Sequence, residues 1–175
     1  MTEIAVLGGG CFWCTESVFG SLRGVLEVTP GYAGGHVDHP TYEQVCRQST
    51  GHIEVVNVVF DPETIDFKTL LQVFFATHDP LTLDRQGADV GPQYASAIFC
   101  QSNQQKEAAQ QVIDDVQKEL GAPVVTRLFG AEHFWPAESY HHNYYEQHPA
   151  QGYCQVVISP KLAKLRRHFG ALLQR

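Results

Sequence analysis

The sequence predicts an α+β fold, a two-layer domain spanning residues 1–175. Apolar segments with strand character interleave with segments whose apolar residues recur at helical spacing. The strands are short and irregularly spaced, which argues against a regular doubly wound sheet. Hydrophobic residues make up 43% of the chain and charged residues 18%, the balance of a folded protein and not of a disordered one. A chain of this length buries roughly 70% of the surface its unfolded form exposes, so it needs no disulfide or metal staple.

Residues 4–7 are a short apolar run ended by Gly8-Gly9-Gly10, a buried strand followed by a tight turn. Residues 11–19 then begin a helix, with Gly20 near its end. Residues 25–29 make a second strand, closed by Pro30-Gly31. Thr41-Tyr42-Glu43-Gln44 matches a capping box and starts a short helix. Residues 53–60 are rich in β-branched side chains and form the clearest strand, ended by Asp61-Pro62. Leu70, Leu71, Phe74 and Phe75 give residues 67–77 a helical spacing. Residues 79–94 are a polar loop of unusual length, and such loops often carry function.

Residues 94–100 are a further strand, and Ser102-Asn103-Gln104-Gln105 is a second capping box. It opens a helix that Gly121 stops. Residues 124–128 read as a strand, and residues 137–147, rich in Tyr and His, as a helix. Residues 153–158 are apolar and read as extended. Ser159-Pro160 starts a last amphipathic helix, with proline at the first helical position.

The net charge of −7 makes nucleic acid an unexpected partner. The one basic stretch holds Lys161, Lys164, Arg166 and Arg167 among apolar residues, and reads as the solvated face of the terminal helix. No run approaches the roughly 18 apolar residues that span a bilayer, so no membrane association is expected. The first residues lack a basic region, an apolar run and a cleavage site, and a cytoplasmic location is expected. The five cysteines, Cys11, Cys14, Cys46, Cys100 and Cys154, are an odd number and suggest no structural disulfide framework.

The chemistry concentrates in Gly8-Gly9-Gly10-Cys11-Phe12-Trp13-Cys14. A cysteine at a helix start meets backbone N–H groups that favour negative charge, so the Cys11 thiol is expected below its free pKa of about 8.5. The glycines would leave room for a ligand to approach the backbone. Glu54 shares a strand face with Val56, Val58 and Phe60. Among those neighbours its carboxyl would hold its proton and act as a general acid, while at a wet strand end it would be a plain surface carboxylate. Cys11 and Cys14 also form a C-x-x-C, a redox pattern in thioredoxin-like proteins. The adjacent His141 and His142 do not face one site on a helix, and no histidine pair has the spacing of a zinc enzyme. No metal ligand is assigned.

Taken together, these residues resemble the A-type peptide methionine sulfoxide reductases over nearly the whole chain. The resemblance rests on Gly10-Cys11-Phe12-Trp13-Cys14-Thr15-Glu16, Gly31-Tyr32-Ala33-Gly34-Gly35, Pro40-Thr41-Tyr42, Thr50-Gly51-His52-Ile53-Glu54 and His78-Asp79-Pro80. The run from Arg85 to Tyr94 and Gly152-Tyr153-Cys154 complete it. It implies a mixed sheet flanked by helices, with a ferredoxin-like core.

It also implies that Cys11 attacks the sulfoxide sulfur and that Glu54 protonates the oxygen. Tyr42 and Tyr94 would hydrogen-bond that oxygen, Phe12 and Trp13 would hold the methyl group, and Asp89 would help to position the substrate backbone. Cys154 would capture the sulfenic acid on Cys11, and thioredoxin would reduce the disulfide, with DTT as a substitute in vitro. The implied substrates are peptide-bound and free methionine-S-sulfoxide, with no cofactor and a monomeric enzyme.

Leu81, Asp84 and Ala95 stand where the family more often has Thr, Asn and Arg. After Cys154 the chain lacks a glycine-rich tail with a further cysteine, so one resolving cysteine is implied. Two other readings stay open on the residues alone. One is a thioredoxin-like disulfide oxidoreductase using Cys11 and Cys14. The other is a non-catalytic module that grips oxidised peptides.

Overall fold

The computed structural model describes residues 1–174. Strand β1 (Glu3–Gly9) runs into helix α1 (Phe12–Gly20), which returns the chain to β2 (Val25–Ala33). Helix α2 (Tyr42–Cys46) lies between β2 and β3 (Ile53–Phe60). Helix α3 (Phe67–Thr77) is followed by a small hairpin, β4 (Arg85–Gln86) and β5 (Asp89–Val90), and a 3-10 turn at Pro92–Tyr94. Next come β6 (Ser96–Phe99), the long α4 (Asn103–Leu120), β7 (Arg127–Phe129) and β8 (Trp135–Pro136). A 3-10 turn at Ser139–His141, α5 (Tyr144–Gln147), a π-helical turn at Cys154–Ile158 and α6 (Ser159–Phe169) follow, with a further 3-10 turn at Gly170–Leu172.

The sheet order is β7-β6-β1-β3-β2-β8. Its centre, β6-β1-β3-β2, is antiparallel and comes from two split strand–helix–strand units, β1-α1-β2 and β3-α3-β6. That is a ferredoxin-like core, and parallel pairing of β7 with β6 makes the sheet mixed. Helices cover one face: Leu7, Val56, Val58, Phe60 and Ile98 meet Phe19, Leu70, Leu71, Phe74 and Val112 in one buried cluster. On the other face Val6, Val55 and Ala97 pack under Phe129 and Phe134.

Several elements follow the local chemistry. Thr41 caps α2, and Gln44 answers with its side chain, so the reciprocal box forms. Gly121 ends α4 in the left-handed conformation. Ser102 caps α4, but Gln105 turns its carbonyl to the Gln101 N–H and its amide to Ile4, so the second box is half made.

Other expectations are corrected. Pro30-Gly31 does not close β2; the strand continues to Ala33. Gly31 is there for close approach, because a Cβ would strike the Trp135 carbonyl and the Phe134 ring. The 79–94 loop contains the β4–β5 hairpin, and the strand expected at 124–128 begins at Arg127. The helix expected over 137–147 is broken at Asn143, which is left-handed at φ 55°. Residues 153–158 are helical, not extended. Their β-branched residues suggest a strand, yet Cys154 and Ile158 are buried while Val156 is 75% exposed. Residues four apart share a helix face, and burial decided over propensity.

Candidate active site

Cys11 is the N-cap of α1, set there by the turn from β1. Gly10 holds φ +96°, and a Cβ on it would lie 2.6 Å from the Gln86 side chain. A Cβ on Gly9 would lie 3.0 Å from Phe74 and 3.3 Å from His78, and one on Gly8 2.9 Å from Ile53. The room the three glycines leave is therefore filled by the protein's own packing, not kept for a ligand. His78, held neutral with a pKa lowered to about 4 by burial, hydrogen-bonds Ser96 and the Phe74 carbonyl under this turn.

Glu54 sits near the start of β3 on the helix-covered face, opposite Tyr32 of β2. It is 1% exposed, which decides for the buried acid over the surface carboxylate. The Phe12 N–H, next in chain to Cys11, donates to Glu54 Oε1 at 3.1 Å. Oε2 is buried with no protein partner. Burial pushes the carboxyl pKa up to about 8, against the pull of the Phe12 N–H and with a smaller push from Asp89. The acid therefore keeps its proton at neutral pH.

The thiols overturn one expectation. Burial lifts Cys11 well above the ordinary thiol range, and Cys14 and Glu54 lift it further. The helix-start N–H of Trp13 pulls the other way and loses. Cys14 is the acidic thiol, lowered to about 7 first by its contact with Cys11 and then, against burial, by Lys161 and the Tyr153 hydroxyl. Two thiols this close compete for one negative charge. Lys161 is therefore half-buried beside the site and does not belong to a wholly solvated face.

The other predicted residues converge on the same place. Phe12, 1% exposed, stacks on Tyr42 with ring centroids 6.3 Å apart. Tyr42 and Tyr94 are half-buried, and both hydroxyls are held protonated by burial and by the nearby Glu54. Trp13 stacks on Tyr144 at 3.7 Å and donates its indole N–H to His141 Nδ1 at 2.9 Å. Asp89, on β5, accepts from the Tyr153 hydroxyl at 2.6 Å. Cys154 is fully buried in a cluster with Cys11, Cys14 and Ile158, and all five cysteines are free thiols.

The sequence reading missed a second ring of residues. Glu138 accepts from the Tyr32 hydroxyl and the Tyr42 N–H, both at 2.9 Å. His141 is 1% exposed and touches the Phe12, Trp13 and Tyr42 rings. Glu16 accepts from the Asn143 N–H at 3.0 Å and ties the C-terminal segment to α1. These partners lie far apart in sequence, and spacing alone carries no signal of them.

The family model described as "Peptide methionine sulfoxide reductase" matches residues 3–172. "Peptide methionine sulfoxide reductase MsrA" of Chromobacterium violaceum is 59% identical over 98% of this chain and 99% of its own. Methionine sulfoxide reductase A of Corynebacterium diphtheriae superposes with TM-score 0.81 at 33% identity, over 86% of this chain and 76% of that one. Mxr1 from Saccharomyces cerevisiae in reduced form gives 0.79 at 30%, over 87% and 89%.

Proposed function

The chain belongs to the peptide methionine sulfoxide reductase family, and from that premise we propose that it reduces methionine-S-sulfoxide, peptide-bound and free, with Cys11 as nucleophile and Glu54 as acid. The observation that carries this reading is the Glu54 carboxyl, with one oxygen fixed by the residue after Cys11 and the other buried without a partner. A sulfoxide oxygen leaves only when protonated, and an unpartnered, protonated Oε2 is the donor that step needs. Such an acid is typically worth about 10²–10⁴-fold.

The Cys11 sulfur attacks the sulfoxide sulfur while Oε2 delivers its proton to the oxygen. The proton of the Cys11 thiol replaces it on Glu54. Once doubly protonated through Glu54 the oxygen leaves as water. A second water then attacks the Cys11 sulfur as its bond to the substrate sulfur breaks, and the proton that water gives up returns to Glu54. Thiol and sulfoxide have become sulfenic acid and thioether, with no net change of protons. Tyr42 and Tyr94, both protonated, donate hydrogen bonds to the oxygen as charge grows on it. Phe12 and Trp13 present the apolar surface for the methyl group, and Asp89 meets the substrate backbone.

Cys154 then supplies the second thiol of an intramolecular disulfide, which stops the sulfenic acid from oxidising further. Thioredoxin is the proposed reductant, and the yeast relative Mxr1 has been solved in complex with Trx2. A thiol enzyme of this kind fits a reducing compartment, and we place it as a monomer in the cytoplasm, repairing oxidised proteins.

The test is DTT-driven reduction of a peptide carrying each sulfoxide epimer in turn. The S epimer should be consumed and the R epimer left. Consumption of R alone, or of neither, sinks the proposal.

A further inference from the structure

The basic stretch of the terminal helix is not wholly solvated, and the reaction proposed above makes no use of it. Arg166 and Arg167 are exposed, whereas Lys161, in the first turn of α6, is half-buried. Leu165, one turn on and on the same helix face, is 1% exposed, so Lys161 belongs to the inward side of α6. Lys161 and Cys11 line one cavity of about 550 Å³. Sites for small molecules commonly have volumes of about 300–1,000 Å³. Phe12, Tyr42, Glu54 and Tyr94 do not line this cavity, so it is space beside the pocket proposed for the sulfoxide group and not that pocket itself. Asp89 does line it. A substrate main chain that meets Asp89 therefore runs on into the cavity, with the methionine side chain turned toward Cys11.

The other charged groups of the cavity are engaged. Lys164 donates to the Ala76 carbonyl at 2.6 Å. Asp79 accepts from the Leu81 N–H at 2.9 Å, and Asp89 from the Tyr153 hydroxyl at 2.6 Å. Lys161 has no hydrogen bond or ion pair among the described residues. Its field still reaches the site: after the contact with Cys11, it helps to lower the Cys14 thiol. A cation with its stem packed and its head in a cavity is screened less than one on open surface. Its natural partner is a carboxylate, through a charge-assisted hydrogen bond.

We propose that this cavity is a carboxylate subsite of the substrate, with Lys161 as the residue that selects for it. The proposal rests on the reading of Cys11 as the residue that meets the sulfoxide. The carboxylate has two sources. One is the α-carboxylate of free or C-terminal methionine sulfoxide, and the other is an Asp or Glu side chain flanking the sulfoxide in a peptide. The net charge of −7 sharpens the assignment. The long-range field of an acidic protein repels acidic ligands, so a preference for them has to come from a local contact. That contact is made before and during the reaction alike, and it acts on KM and not on kcat.

The test is competition between matched substrates with DTT as reductant, each pair in one mixture so that the ratio of kcat/KM is read directly. One pair is N-acetylmethionine-S-sulfoxide and its carboxamide. The others are end-blocked peptides with Glu or Gln on one side of the S-sulfoxide and then on the other. In at least one pair wild type should consume the carboxylate member about tenfold faster, the size of a charged hydrogen bond. The pair that responds identifies the source. Lys161→Met keeps the stem, removes the charge and should abolish the preference, and Lys161→Glu should invert it. A ratio within one pair is blind to any general loss of fold or rate in a variant. Equal consumption in every pair by wild type, or a preference that Lys161→Met leaves intact, overturns the subsite. The same pairs titrated by NMR onto Cys11→Ser read the preference in Kd without chemistry. Where wild type reduces neither member, the reading of Cys11 fails and the titration still decides the subsite.

Discussion

The two halves of the site are built differently. Cys11 and Glu54 sit on α1 and β3, regular elements whose hydrogen bonds and core contacts fix them before any ligand binds. Residues 137–158 supply Glu138, His141, Tyr144, Tyr153 and Cys154 from short turns broken by a left-handed Asn143 and a π-helical turn. In the proposed reaction the first half would hold two groups in one geometry for the sulfoxide step, and regular elements do that best. The second half would bring in a thiol only after the substrate has left, and irregular, sparsely paired backbone opens at low cost. On that proposal the difference separates reduction of substrate, by the scaffold, from recycling of enzyme, by a segment able to rearrange.

The largest expected effect breaks the fixed half outright. Cys11→Ser should leave no turnover of a sulfoxide peptide, because a hydroxyl offers no accessible anion and no sulfenic acid. The fold should survive, since serine is nearly isosteric and Cys11 holds no structural side-chain hydrogen bond as N-cap. Turnover near the wild-type rate would remove Cys11 from the chemistry.

Next is Glu54→Gln, expected to slow single turnover by about 10²–10⁴-fold. The sign of the pH dependence sharpens the test. Glu54 acts protonated and its pKa stands at about 8, so the wild-type rate should fall as pH rises through that value. Glutamine does not titrate. The variant's rate should keep rising with pH as Cys11 ionises. A wild-type profile without a falling limb would return Glu54 to a structural role.

The fixed half was also the legible half. Residues 53–60 alternate on a strand, residues 67–77 carry a helical stripe, and Thr41 with Gln44 makes a local box; all three signals lie within one element. Cys11, Glu54 and the aromatic residues lie close together in the structure. What spacing did not carry was how neighbours compete. The helix start was expected to acidify Cys11, but burial and the adjacent thiol outweigh it. Tyr and His at 137–147 read as helix, and Val156-Val157-Ile158 as strand. In the first place the contact of Asn143 with Glu16 of α1 decided otherwise, and in the second the burial of Cys154 and Ile158 against Cys11 and Cys14.

A smaller effect is expected where the two halves meet. Gly31→Ala would drive its Cβ into the Trp135 carbonyl and the Phe134 ring, so β8 must move off β2. Overpacking of this kind costs about 1–3 kcal/mol. β8 leads directly to Glu138, which holds the Tyr42 N–H. KM should therefore rise along with the loss in urea midpoint. A destabilised variant with unchanged KM would show that the segment's position is set elsewhere.

The smallest effect tests whether the break at Asn143 is a designed joint. At φ 55° and ψ 38° Asn143 lies in the region that asparagine and glycine tolerate and alanine resists. The turn aims its N–H at Glu16 Oε2, and that contact sets the direction in which α5 leaves. Asn143→Ala should cost about 1 kcal/mol of backbone strain. In a chain of this size that lowers Tm by roughly 2–4 °C. Asn143→Gly keeps the conformation free of strain and should lie closer to wild type than alanine does. Thermal unfolding of the two variants side by side is the measurement. If alanine were neutral and glycine costly, the segment would be relaxing toward the continuous helix that its sequence suggests. The irregularity would then be incidental, and the contrast between a fixed half and a rearranging half would lose its structural basis.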